Sequence, residues 1–94
     1  MVQAIAKDKP LVERGDIAFV GKSGVTHLFH NIDRVMGVAT KEFEGIADVN
    51  EIIATRAIQI DTGYEIKVLA DGFTPQAQSL AEEYGIMLIS TLRH

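Results

Sequence analysis

The chain has 94 residues, a formal charge of −4, no cysteine, and 47% hydrophobic residues drawn mainly from isoleucine, valine, leucine and alanine. A chain of this size buries roughly 60 to 65% of its unfolded surface and fills one core, so it is read as a single α/β domain over residues 1–94, with disulfide frameworks, thiolate metal sites and cysteine nucleophiles excluded. Its nine Lys and Arg residues are scattered, without the dense basic face that displaces counterions from phosphates, so nucleic acid is disfavoured as a partner.

In chain order, VQAIA at 2–6 alternates weakly and predicts an edge strand, followed by a turn at DKP. DIAFV at 16–20 predicts a buried strand. From Val25, apolar residues fall at Leu28, Phe29, Ile32, Val35, Met36, Ala39 and Phe43, the spacing of a long helix with one buried stripe. Ser23 or Thr26 would cap that helix and Gly45 would end it, with Gly37 inside at a cost of about 1 kcal/mol relative to alanine.

Residues 46–72 carry two patterns. Asp48 followed by Glu51 is a capping pair, with Val49, Ile52, Ile53, Ala57 and Ile60 as a helical face. RAIQI-DTG-YEIKV alternates like a hairpin, with Ile58 and Ile60 matching Tyr64, Ile66 and Val68. The two combine as a short helical turn from Asp48 that gives way to strand near Thr55. Thr74 and Pro75 then open a helix whose buried face is Ala77, Leu80, Ala81 and Tyr84; Gly85 closes it, and IMLIS at 86–90 is a buried strand.

Together these elements predict an α/β fold of three to four strands in two or three layers, with one long helix in the N-terminal half and a right-handed β-α-β unit from Tyr64 to Ser90. So small a core, beside an isoleucine-rich surface, predicts a homo-oligomer. No apolar run approaches the roughly 18 residues of a membrane helix, and MVQAIAKDKP has no leader pattern, so a cytoplasmic chain without a membrane partner is expected.

The stretch FVGKSG at 19–24 contains the Gly-Lys-Ser of a phosphate loop, but the preceding glycine is Gly15 and strand residues fill the interval where the cradle belongs. What remains is a glycine-rich turn before the expected helix, the sort of place that holds anions through free N–H groups. If the strands ending at Val20 and Ala70 run parallel and adjacent, Gly21, Lys22, Ser23 and Gly24 would share one crevice with Asp71, Gly72 and Thr74. A small anionic ligand would fit there, giving a non-enzymatic, self-associating binding module with no cofactor. His27, His30, Asn31 and Arg34 are expected on a solvated helix face, and the acidic run Glu42, Glu44, Asp48 and Glu51, which straddles a helix end, on a solvated surface.

Asp48 or Glu51 with Glu65 and Lys67 has the composition of a Mg²⁺-dependent nuclease site, two carboxylates for the ion and a lysine for the phosphate. GFTPQAQSLAEEYGIMLIS at 72–90 resembles the final strand-helix-strand portion of Mrr-like restriction endonucleases, of the restriction-endonuclease-like fold, and also the end of DRTGG domains. The first resemblance implies a nuclease. It also implies that the YEIKVLADG strand follows the catalytic one, so that Glu65 and Lys67 would not be the matching pair.

Overall fold

A computed structural model describes residues 11–91 as nine strands and two helices. The expected strand at VQAIA lies outside the described residues. In order, the elements are β1 (Val12–Arg14), β2 (Ile17–Val20), β3 (Thr26–Phe29), β4 (Asn31–Asp33), β5 (Val38–Glu44), β6 (Ile46–Ala47), α1 (Val49–Thr62), β7 (Glu65–Ala70), β8 (Gly72–Phe73), α2 (Pro75–Tyr84) and β9 (Met87–Ser90).

The α/β expectation holds, with more strands than foreseen. The main sheet runs β1-β5-β7-β9, with β4 also paired to β5. β5, β7 and β9 are mutually parallel, and β1 and β4 are antiparallel to β5 at its two ends. Successive right-handed crossovers in one direction put both helices on the same face of a sheet. Accordingly Ile52 of α1 and Ala77 and Ala81 of α2 join Ala39, Ile66, Val68 and Ala70 in the core. Lys41 is buried on this side as well, ion-paired to Glu13 with its ammonium 5.5 Å from the centre of the Phe29 ring.

The expected helix from Val25 is replaced by two hairpins. β2 and β3 pair around the turn at Gly21–Gly24, and β4 and β5 pair around Arg34–Gly37. Gly37 adopts φ +72, which an L side chain enters only with strain, and Asp33 accepts the backbone N–H groups of Val35 and Met36 to shape the same turn. Val35 and Met36, expected in a buried stripe, are 94% and 72% exposed at its tip. Ser23 and Thr26 therefore cap no helix, and Gly45 joins β5 to β6.

Of the two patterns at 46–62, the helix prevails along its full length. The capping box is formed: Asn50 N–H donates to Asp48 and Asp48 N–H donates to Glu51. The DTG sequence is the helix stop, with Gly63 left-handed at φ 79 and its N–H donating to the Gln59 carbonyl. The expected strand from Thr55 and the 58–68 hairpin are thus absent. The β-α-β unit from Tyr64 onward forms as expected, with Thr74 capping, Pro75 in the first turn and Gly85 in the left-handed C-cap, but Tyr84 and most of β9, expected to be buried, are exposed because β9 is the edge of the sheet.

Candidate functional site

The turn at Gly21–Gly24 already holds an anion, and that anion belongs to the chain. Ser23 donates to the Asp61 carboxylate from its backbone N–H (2.8 Å) and its hydroxyl (2.8 Å), and His27 Nε2 lies 2.7 Å from the same carboxylate. Lys22 N–H donates to the Asp61 carbonyl. A Cβ at Gly21 would stand 2.0 Å from Asp61 Oδ2, so glycine leaves the carboxylate room to approach the turn. These contacts, the His27 bond first and then those of Ser23, hold the Asp61 carboxyl below its ordinary range. They staple the β2–β3 hairpin to the last turn of α1, where Phe19 also meets Tyr64 edge-on at 5.1 Å. Ser23 and His27 both bond Asp61 Oδ2, so the histidine is not placed as a base for the serine.

The second expected loop does lie at the carboxyl ends of parallel strands, and it too is satisfied internally. Asp71 accepts the Gly45 N–H (2.9 Å) and the Thr91 hydroxyl (3.4 Å), Thr74 Oγ1 accepts Ala77 N–H, and Gly72 sits in β8 beside Ile46. The single crevice does not form. β2 pairs with β3 and not with the main sheet, so one loop sits at the C-terminal end of α1 and the other beside its N-terminus. A helix of 14 residues separates them, about 20 Å.

The same helix separates the carboxylates of the nuclease reading. Asp48 and Glu51 close the N-terminal capping box, where burial holds Glu51 above its ordinary value, whereas Glu65 begins the strand that follows the C-terminus of α1. Metal ligands sit within roughly 2.6 Å of an ion, so these residues do not share one. Among the described residues no three His, Asp or Glu side chains are grouped to hold a metal. The histidines do not share a solvated helix face: His27 is 14% exposed against Asp61, and His30 lies 3.0 Å from Glu42.

The structure collects polar groups elsewhere, on the sheet face opposite the helices. Register sets them in two rows. Asp33, Val38 and Glu65 are Cα partners across β4, β5 and β7; Asn31, Thr40, Lys67 and Met87 form the next row, extending to β9. Partners in a row point to one face, and the intervening Ile32, Ala39 and Ile66 point to the core. Together with Met36 and Gly85, these side chains line a cavity of about 320 Å³, at the small end of ligand pockets.

The cavity differs from both loops in its unmet polar capacity. Thr40 is 8% exposed, and among the described residues its hydroxyl has no hydrogen-bond partner. Among those residues Asp33, Glu65 and Lys67 form no ion pair within 4.0 Å. Of this set, sequence reasoning singled out Glu65 and Lys67 for catalysis and put Asn31 on a helix. It missed Asp33 and Thr40, whose positions depend on the hairpin at Gly37. The available signal was an Asp four residues before a glycine between β-branched segments.

No protein-family model matches the chain, and neither a curated protein nor a solved structure does. Function therefore rests on the geometry. No described helix is long and apolar enough to cross a membrane.

Proposed function

We propose that this chain is a small non-enzymatic binding module whose recognition surface is the open face of its sheet. One observation carries the reading: the buried Thr40 hydroxyl, without a partner among the described residues, lines a cavity in company with Asp33, Glu65 and Lys67, which form no ion pair among those residues. Buried polar groups in folded proteins are nearly always paired, so an orphan at the wall of a cavity marks where a guest atom or an ordered water completes the set. The loops at Gly21–Gly24 and Asp71–Thr74 offer less, because Ser23, Asp71 and Thr74 already bond within the chain.

The test is amide chemical-shift mapping with a small-fragment library of neutral, cationic, anionic and zwitterionic members. Shifts clustering at Thr40, Lys67 and Met87 support the module; hits that avoid these residues, or no hits at all, refute it.

Self-association is a second reading, favoured by β9. This strand is an edge of the main sheet and leaves Met87 58% and Ile89 38% exposed. Edge strands present unpaired backbone groups that a second copy can match. Light scattering across a concentration series tests it, and a monomer at every concentration rules it out.

A further inference from the structure

We propose that the open-face cavity takes a small zwitterion, its ammonium group held between Asp33 and Glu65 and its anionic group held by Lys67, Asn31 and Thr40. This rests on the cavity being the binding site and deepens that reading by naming the ligand class.

The two-row register dictates the arrangement. Asp33 and Glu65 flank Val38, one on each neighbouring strand. Strands stand about 4.8 Å apart, so the two carboxylates rise from Cα atoms roughly 10 Å apart, with the short Val38 side chain as the floor between them. Both line the cavity, and an ammonium seated over Val38 would lie between them. Asp33 Oδ1 is occupied by the Val35 and Met36 N–H groups, which fixes the side chain and leaves Oδ2 for a guest. Glu65 is anchored at its backbone, where its N–H donates to the Gly37 carbonyl.

One row along the strands, roughly 6.6 Å away, the chemistry changes sign. Lys67 brings a cation, Asn31 an amide and Thr40 the buried hydroxyl that has no partner among the described residues. A cation alone would balance the two carboxylates and Lys67 in number, but seated between Asp33 and Glu65 it would leave Lys67, one row away and not ion-paired to either among the described residues, with no anionic group beside it. An anion alone would meet Lys67 and two carboxylates of its own sign. A molecule bearing both charges pairs every ionised group in the cavity and supplies a partner for Thr40.

The row spacing puts the two charged groups of the guest about 5 to 7 Å apart, longer than an α-amino acid spans and matched by an ω-amino acid. Met36, Val38 and Met87 give an apolar lining for the methylene spacer. The anionic end can be a carboxylate or a phosphate, since Lys67, Asn31 and Thr40 serve either.

The experiment compares 5-aminopentanoate and 3-aminopropyl phosphate with pentylamine, pentanoate and norvaline, following amide shifts of the full chain. The zwitterions with separated charges should bind at least tenfold more tightly than the other three, with shifts centred on Thr40, Glu65 and Lys67. The better of the two identifies the anionic group. Glu65→Gln and Lys67→Met should each erase that advantage, and Thr40→Val should weaken binding in a protein that remains folded. Equal binding of pentylamine or pentanoate at the same residues would overturn the zwitterion and leave the cavity as the binding site. If none of the five moves those amides while library fragments do, the zwitterion alone fails; if no fragment moves them either, both readings fall.

Discussion

The turn at Gly21–Gly24 and the open-face cavity make opposite use of similar chemistry. In the turn, a serine, a histidine and close backbone approach converge on a carboxylate, and every contact is made within the chain. In the cavity, a threonine, a lysine, an asparagine and two carboxylates share a space and, among the described residues, leave groups unpartnered. The turn has the residue types of a ligand site and works as a staple; the cavity has an unremarkable sequence and retains binding capacity. What separates a structural cluster from a binding site here is whether its polar groups already have partners.

The largest effect should come from filling the space that the staple needs. Gly21→Ala pushes a methyl group into the Asp61 carboxylate, displacing it from Ser23 and His27, and should lower the midpoint of urea unfolding more than any other change considered. An unchanged midpoint would mean that the hairpin is not held to α1 through this contact.

Acid should sharpen the same distinction. Asp61 has its folded-state pKa lowered below the ordinary 3.8, so its contribution is fully present above that value and is lost as pH falls from there through the folded value. Stability measured across this window should fall in the wild type, and Asp61→Asn should remove that part of the acid dependence. Identical slopes in the two proteins would deny the staple its electrostatic part.

On the cavity side the expected sign reverses. Thr40→Val keeps the shape and removes a buried hydroxyl that has no described partner, so the protein should gain about 1 kcal/mol when empty. A loss of stability would show that the hydroxyl is already satisfied. The smallest effects belong to Glu65→Gln and Lys67→Met, which should stay within about 0.5 kcal/mol in stability because neither group is ion-paired within the described chain. A large destabilisation by either would reassign it to the fold.

How much of this was legible in the sequence follows the range of the interactions. Asp48 with Glu51, and Thr74 with Pro75, announce their helices because a cap is satisfied within one turn. Gly63 was ambiguous, since a left-handed glycine ends a helix as well as it turns a hairpin, and only the packing of Ile52 and Thr55 against the sheet decides for the helix. Val25 to Phe43 misled because two hairpins interrupted by turns put Phe29, Ile32, Ala39 and Phe43 at helix-like intervals. The cavity was out of reach for the same reason: Asp33 and Glu65 meet only once β4 and β7 are known to flank β5. The staple joins Ser23 to Asp61, 38 positions apart, and no local pattern encodes that contact.

The most direct test of the contrast between the two regions is a single titration of the wild-type chain with 5-aminopentanoate, comparing amide shifts at Thr40 and Lys67 with those at Ser23 and Val25. Saturable movement of the first pair, with the second pair still, is the expected result. Movement of Ser23 and Val25 with Thr40 and Lys67 unmoved would contradict it, because the turn would then be the open site and the cavity the closed one.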